Sequence, residues 1–272
     1  MQDAPEQVYG VDFSGAQDAG KRIWIAGSTV EGGALRIDEC RRGDDLPGSG
    51  KSRDACLNAL REFIRGQKAS AFGLDFPFGL PRSLVRQTVW DAFVLSFPGE
   101  YPNPDRFRRT CREAAGGREL KRATDRESKT PFSAYNLRLY RQTYYGIRDV
   151  LHPLVRDRQA CVLPMQKTVV DRPWILEICP ASTLKQAGLY VSYKGRMAKH
   201  RTARAHILEQ LEGRDALSVP TASLRSTLLD DRGGDALDSV IGALATLRAL
   251  CSPDLLAVGN ESPYSVEGYV YV

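Results

Sequence analysis

The feature that most constrains this chain is a short apolar segment near its start that contains one acid. Residues 8–15 read VYGVDFSG. In a β-strand the side chains alternate between two faces, so Tyr9, Val11 and Phe13 share one face and Asp12 lies on the other. An ionised carboxylate in a buried strand is costly unless a positive group compensates its charge. Asp12 is therefore either a metal ligand or a residue that caps the turn at the end of the strand.

Length and composition predict a globular protein with a sizeable core. The chain has 272 residues, of which 42% are hydrophobic, and we treat residues 1–272 as a single domain. No apolar run approaches the roughly 18 residues of a membrane span. The opening MQDAPE lacks the basic and apolar parts of a signal peptide. We therefore expect no membrane association.

The numbers and spacing of cysteine and histidine indicate the cellular location and the kind of metal ion to expect. The six cysteines have no paired spacing, so we expect reduced thiols and a cytoplasmic location. With three histidines and no Cys-x-x-Cys motif, a zinc site is not expected. Any metal in this protein is expected to be a hard cation held by carboxylates.

Positive charge is concentrated in two segments. Residues 106–129 contain nine basic and four acidic side chains, and this surplus of five equals the net charge of the whole chain. A second cluster contains no acid and consists of Lys194, Arg196, Lys199, Arg201 and Arg204. Such patches suit the phosphate backbone of nucleic acids. A solvated helix face is the alternative interpretation of each.

The remaining pattern predicts strands that alternate with helices. Strands are expected at 22–30, 34–39, 69–75 and 174–180, and a helix from Ser52 to Gly66. The segment from 82 to 164 is predominantly helical in pattern. Two further acids occur in apolar strands, namely Asp75 at the end of one and Glu177 inside another.

The sequence GSGKS at 48–52 superficially matches the end of a phosphate-binding loop. That motif requires a glycine five residues before Gly50, where this chain has Asp45, and a strand directly before the loop. We therefore interpret the segment as a connection in which Ser52 caps the following helix.

The last long helix begins with two acids three residues apart. Asp235 and Asp238 lie on one side of its first turn, away from the apolar stripe that contains Leu237, Val240 and Ile241. Both carboxylates can therefore reach the same point. Alternatively, acids at a helix start cap free amides and interact favourably with the helix dipole. Capping does not explain the acids in the apolar strands.

Four motifs, in their order and spacing, resemble one known family over nearly the whole chain. They are GVDFSG at 10–15, GLDFPFGLP at 73–81, LEICPAS at 176–182 and DALD at 235–238. The family is the predicted ribonuclease-H-like nuclease family known as domain of unknown function 429. Shorter matches are RATD at 122–125, PFS at 131–133, YKG at 193–195 and EGYV at 267–270. The last helix is also similar to the Asp-Ala-x-Asp helix of Holliday-junction resolvases.

The resemblance implies an α/β fold with a ribonuclease H-like core. This core is a mixed five-stranded sheet flanked by helices, in which strands one to three are antiparallel neighbours and strands four and five run parallel to the first. A helical insertion over about 82–168 would follow the fourth strand. Ribonucleases H proper have an acid in the first helix, whereas this helix offers only Glu62 near its far end. Specificity as a ribonuclease H is therefore not implied.

The resemblance also implies a site for Mg²⁺ or Mn²⁺, with two ions. Asp12 would bridge the ions and Asp75 would bind one of them. Asp235 and Asp238 would complete the cluster from the last helix. Glu177 would be a further catalytic acid of the same site.

The function implied is hydrolysis of phosphodiester bonds in DNA or RNA by two metal ions. Basic residues of the 106–129 segment would hold the substrate backbone, and Arg122, Arg126 and Lys129 are the candidates. Ser14 and Lys194 are the other residues expected to contact the substrate.

Two other functions are compatible with the same fold. One is a non-catalytic nucleic-acid-binding or scaffold protein, because fold does not determine function. The other is an ATP-binding phosphotransferase of the actin-like type. Those proteins need two such halves, and this chain does not repeat its first strand motif.

Overall fold

The computed structural model describes residues 5–214, 217–258 and 263–272. Residues 1–4, which contribute to the signal-peptide expectation, lie outside this range. Within it, eight strands form one mixed sheet: β1 (Gln7–Asp12), β2 (Trp24–Glu31), β3 (Ala34–Arg42), β4 (Ser70–Leu74), β5 (Cys161–Leu163), β6 (Trp174–Ile178), β7 (Leu217–Ser218) and β8 (Val270–Tyr271). The protein is thus α/β, as the sequence predicts.

The strand order across the sheet is β5-β6-β4-β1-β2-β3-β7, and β8 pairs with β6. β1, β2 and β3 are antiparallel neighbours, whereas β4 runs parallel to β1 and β6 runs parallel to β4. The expected number of five strands is wrong, because β5, β7 and β8 also join the sheet. These three strands have only two or three residues each, too few for a periodic pattern to be read from sequence.

Twelve α-helices lie within the described residues. They are α1 (Arg53–Gly66), α2 (Trp90–Glu100), α3 (Pro104–Ala114), α4 (Ala123–Glu127), α5 (Tyr140–Tyr145), α6 (His152–Arg156), α7 (Pro180–Gln186), α8 (Ala198–Arg214), α9 (Ala222–Asp230), α10 (Asp235–Leu250), α11 (Pro253–Ala257) and α12 (Tyr264–Glu267). A π-helical turn, Gly146–Leu151, joins α5 to α6. As predicted, Ser52 caps α1, because its Oγ accepts a hydrogen bond from the Ala55 amide.

Hydrophobic cores lie on both faces of the sheet. Tyr9 and Val11 of β1 belong to one core, together with apolar residues of α1 and of the helices between β4 and β5. Val8 belongs to the other core, which contains the apolar residues of α8, α9 and α10. The alternation expected for β1 is therefore present. β5 lies within the range 82–168, so this range contains a strand beside β6 as well as helices.

Two further features of the fold bear on the sequence-based expectations. In the part of the chain that the structure covers, no helix combines the length and apolar character needed to cross a bilayer. All six cysteines are free, and Cys56, Cys111 and Cys161 are buried.

Candidate metal centre

Three carboxylates, one from a strand and two from a helix, lie together at the end of the central strand β1. Asp12 is the last residue of β1, and Asp235 and Asp238 lie in the first turn of α10. Each contributes one carboxylate oxygen to a cluster in which these oxygens lie within 4.8 Å of one another. Hard divalent cations prefer carboxylate oxygens as ligands, so this triad can hold a metal ion.

Glycines explain how α10 comes so close to the strands. A Cβ added at Gly10 would lie 1.9 Å from the Ser239 carbonyl oxygen, and one added at Gly73 would lie 2.1 Å from Thr246 Oγ1. No side chain fits at such distances, so glycine at these positions allows α10 to pack directly on β1 and β4. Asp12 lies two residues after Gly10 and therefore faces the side of the sheet that α10 covers.

Asp75 directly follows the neighbouring strand, β4, and lies level with Asp12. Val11 pairs with Leu74 in the parallel ladder, and the Asp75 amide donates a hydrogen bond to the Val11 carbonyl oxygen over 3.0 Å. Asp75 is not part of the cluster whose oxygens lie within 4.8 Å of one another. Asp75 and Asp238 do, however, line the same cavity. Four of the five acids singled out in the sequence therefore meet in one region.

The start of α10 is capped by a residue that the sequence analysis did not single out. Asp231 Oδ2 accepts hydrogen bonds from the amides of Asp235, over 2.7 Å, and Ala236, over 3.1 Å. The capping role considered for Asp235 thus belongs to Asp231. The carboxylate of Asp235 does not cap the helix and contributes an oxygen to the cluster with Asp12. The sequence signal for this cap was Asp231 itself, an acid two residues before the Gly-Gly pair that precedes the helix.

The loop that contains Tyr193 and Lys194 provides the positive charge nearest to the triad. Lys194 Nζ lies 2.6 Å from Asp238 Oδ2 and 3.1 Å from Asp235 Oδ1. The Tyr193 hydroxyl donates to Asp238 Oδ1 over 2.6 Å. Arg204 holds this loop by donating to the Tyr193 carbonyl oxygen over 2.7 Å. Arg204 is 2% exposed, so this member of the second basic cluster supports the loop instead of forming a phosphate-binding surface.

Burial raises the pKa values of Asp12, Asp75 and Asp238. Burial and then the charge of Asp238 raise the pKa of Asp75 to about 8. The same two causes raise the pKa of Asp12 well above its usual value. Burial also raises the pKa of Asp238, although Lys194 opposes this shift. A nearby cation favours the ionised forms, so a bound divalent ion would reverse these shifts.

Glu177 belongs to a buried ion-pair network that borders the cavity beside the acids. Arg122 donates to both carboxylate oxygens of Glu177 and to both of Asp125. Its remaining N–H donates to the Glu267 carbonyl oxygen over 3.1 Å. The Phe78 amide also donates to Glu177, over 2.9 Å. All five N–H groups of Arg122 are thereby used.

This network bears on two assignments made from sequence. Arg122 is 1% exposed and all of its donors are engaged within the protein, yet it also lines the cavity beside the acids, so its contact with a substrate stays a prediction. Glu177 pairs with Leu74 across the parallel ladder, one residue away from the position level with Asp75. A shift of one residue in a strand turns a side chain to the opposite face. Glu177 therefore leaves its strand on the face opposite to Asp12 and pairs with Arg122, but at the end of the sheet it still lines the cavity that Asp75 and Asp238 line. The charge of Glu177 also contributes to the raised pKa of Asp75.

Three of the residues expected to contact the substrate, Ser14, Arg126 and Lys129, do not line the cavity beside the acids. Ser14 Oγ accepts a hydrogen bond from the Ala16 amide over 3.3 Å, which makes Ser14 a turn residue. Arg126 is exposed and donates to the Lys121 carbonyl oxygen over 2.6 Å. Lys129 is exposed and has a left-handed backbone with φ of 52°. Of the four predicted substrate-binding residues Ser14, Arg126, Lys129 and Lys194, only Lys194 lines the cavity beside the acids.

A cavity of about 380 Å³ adjoins the acids. Asp75, Asp238 and Lys194 contribute to its lining. The rest of the lining is largely apolar and aromatic and includes Phe132 and Tyr190. The site thus combines a carboxylate cluster suited to a hard cation with an adjoining apolar cavity.

Comparison with known proteins finds no match to this chain among protein-family models, curated proteins or solved structures. By its sheet and its carboxylate cluster, the chain is an α/β protein with a triad able to hold a metal ion.

Proposed function

We propose that this protein is a divalent-metal-dependent phosphodiesterase that hydrolyses nucleic acid on a ribonuclease H-like core. The observation that carries the proposal is the convergence of Asp12, Asp235 and Asp238 within 4.8 Å, with Asp75 directly after the adjacent strand. These acids come from segments far apart in the chain. The pKa values of Asp12, Asp75 and Asp238 are raised, and grouped carboxylates with raised pKa values are common at functional sites.

The strand pairing supports the proposed core. The order β3-β2-β1-β4-β6, with β1 to β3 antiparallel and β4 and β6 parallel to β1, is the arrangement that the family resemblance implies. In this arrangement the ends of β1 and β4 lie side by side at the start of α10. Asp12 and Asp75 are therefore held at the ends of two central strands, and Asp235 and Asp238 are held by the first turn of α10.

The donor set fits Mg²⁺ or Mn²⁺, because all of the candidate ligands are carboxylates and hard cations prefer oxygen. Asp12, Asp235 and Asp238 would hold one ion, and Asp75 with Asp12 would hold a second. Such ions activate water and stabilise the leaving oxygen of an in-line phosphodiester displacement.

The protein's own groups then have distinct tasks. Tyr193 orients Asp238 by donating a hydrogen bond to it, and Asp231 fixes the first turn of α10. Lys194 lines the cavity and also pairs with the acids. Its ammonium can therefore donate to a phosphate oxygen of the substrate once a metal ion compensates Asp238.

The test is a phosphodiesterase screen over single-stranded, duplex and branched DNA and RNA with Mg²⁺ or Mn²⁺. We expect the wild type to cleave at least one substrate, and Asp12→Asn and Asp235→Asn to lose at least about a hundredfold in rate, equivalent to about 2.7 kcal/mol. Asp54→Asn is the matched control, because Asp54 is an exposed acid in the first turn of α1. Equal rates in the wild type and both site variants would refute the proposed site.

One observation favours a second candidate, a non-catalytic nucleic-acid-binding or scaffold protein. The Lys194 ammonium compensates part of the acidic charge from within the protein. A scaffold would retain this ion pair permanently and would bind no metal at the triad. A metal ion should therefore stabilise the folded nuclease, but not a scaffold protein.

A further inference from the structure

The cavity beside the triad has the size and lining of a small-molecule site. Its volume of about 380 Å³ lies toward the lower end of the range for such sites. Besides Asp75, Asp238 and Lys194, its walls include Pro77, Pro131, Phe132, Pro180, Tyr190 and Val191, and the paired Arg122, Asp125 and Glu177 also border it. The apolar and aromatic part of the wall suits a planar aromatic ligand.

Two aromatic side chains of the cavity are accessible and lie next to cations. Phe132 is half-buried, and the guanidinium carbon of Arg138 lies 5.4 Å from the centre of its ring. Tyr190 is 53% exposed, and Lys185 Nζ lies 5.3 Å from the centre of its ring. Nucleobases stack on aromatic faces, and neighbouring cations add to such contacts.

Phe107, Phe132 and Tyr135 are the aromatic residues within or just after the basic segment 106–129, and they differ in exposure. Phe107 and Tyr135 are fully buried within a hydrophobic core, so neither can stack on a ligand. Phe132 alone of these three lines the cavity.

We propose that this cavity binds one unpaired nucleobase, whose nucleotide carries a phosphate next to the acids. This inference rests on the proposed nuclease function, and it names the substrate class as single-stranded or locally unpaired nucleic acid. A base inside an intact duplex is covered on both faces by its neighbours, and it reaches such a cavity only after it leaves the stack. The acids and Lys194 meet the phosphate side of the nucleotide, and the apolar walls receive the base.

The test compares two ligands that differ only in the base. Binding of adenosine 5′-monophosphate and of ribose 5-phosphate to the full-length protein is measured by calorimetry in the presence of Mg²⁺. One base stacked on an aromatic side chain is worth about 1–3 kcal/mol, or roughly 5- to 150-fold in affinity. We therefore expect the nucleotide to bind at least about tenfold more tightly than the sugar phosphate.

Three variants connect this preference to the cavity. Phe132→Ala should reduce it to about twofold or less, and Phe132→Trp should retain it because the ring is restored. Leu137→Ala is the matched control, since Leu137 is 64% exposed on the same segment and does not line the cavity. Thermal unfolding of each variant verifies that it is folded. Equal affinities for the two ligands, no measurable binding of either, or an undiminished preference in Phe132→Ala would each overturn the inference.

The outcomes distinguish this inference from the function on which it rests. A preference for the nucleotide without any phosphodiester cleavage would refute the nuclease function and leave the base-binding cavity standing. Metal-dependent cleavage without a base preference would refute the cavity and leave the nuclease function standing. If both hold, single strands should be cleaved at least about tenfold faster than duplexes of the same sequence, and Phe132→Ala should reduce that ratio.

Discussion

Lys194 Nζ lies 2.6 Å from Asp238 Oδ2, and this ion pair joins a half-exposed ammonium to a buried acid of the triad. Burial opposes the charge on Lys194, but Asp238 and Asp12 raise its pKa above the ordinary value, so the side chain stays protonated. Lys194 therefore compensates the acids in the same place where a metal ion would act. A bound cation and this ammonium are expected to compete for Asp238.

Replacing Lys194 by methionine should have opposite effects on stability and on metal affinity. Without the ammonium, Asp238 lacks its charged partner, and the free energy of unfolding should fall by roughly 1–2 kcal/mol. Mn²⁺ should bind more tightly to Lys194→Met, because no positive charge has to be displaced. Chemical unfolding and Mn²⁺ titration measure these two effects. Lys199→Met, which alters an exposed lysine of the same basic cluster, should change neither quantity; weaker Mn²⁺ binding in Lys194→Met would contradict the competition.

Mn²⁺ should stabilise the wild type against heat. A ligand that binds only the folded state at a hundred times its Kd stabilises a protein by about 2.7 kcal/mol. Asp12→Asn should lose this gain because Asp12 is common to both proposed ion sites, and Asp54→Asn should retain it. Differential scanning calorimetry with and without Mn²⁺ makes the comparison. A wild type that gains no stability from Mn²⁺ would support the scaffold function.

Substitution of Gly10 should separate the strands from the helix. The Cβ of alanine would lie 1.9 Å from the Ser239 carbonyl oxygen, so α10 must move away from β1. We expect Gly10→Ala to destabilise the protein by about 1–3 kcal/mol or more and to weaken Mn²⁺ binding as Asp235 moves from Asp12. Gly99→Ala is the control, because a Cβ at Gly99 meets no atom within 4 Å. Unchanged unfolding and metal binding in Gly10→Ala would show that the helix does not need this close approach.

Arg122 should be essential for stability and not for substrate binding as such. Arg122→Met leaves the buried carboxylates of Glu177 and Asp125 without their partner, and loss of one member of a buried pair costs about 3–5 kcal/mol. Arg126→Met should lie within about 0.5 kcal/mol of the wild type, because Arg126 is exposed. Urea unfolding curves provide the comparison. Wild-type stability in Arg122→Met would show that the network is dispensable.

The stability of the metal-free protein should fall as the pH rises through the range in which Asp75 titrates. Folding raises the pKa of Asp75 to about 8, so the folded state binds its proton more tightly than the unfolded state does. This contribution is present below the ordinary carboxyl pKa of about 4 and is lost as the pH approaches about 8. Asp75→Asn should show a smaller decrease across this window, measured by urea unfolding at a series of pH values in a chelator. An equal decrease in both proteins would exclude Asp75 as its source.

Local patterns account for much of the fold. The alternation in residues 8–12 and the apolar strand that ends at Asp75 correspond to β1 and β4, and Ser52 caps α1 as its position predicts. These features depend on side chains that are close in sequence, so the order of residues reveals them. The very short strands β5, β7 and β8 depend on pairing partners elsewhere in the chain, and no local pattern predicts them.

The order of residues alone shows that acids interrupt apolar segments and open a helix, and that Gly10 and Gly73 precede two of these acids by two residues. Which acids meet depends on the packing of distant segments. Asp12, Asp235 and Asp238 converge because Gly10 lets α10 lie on β1, whereas Glu177 faces the other side of the sheet and pairs with Arg122. The physical reason is that a strand fixes only the alternation of its side chains, while register and packing between distant segments decide what each buried charge will face.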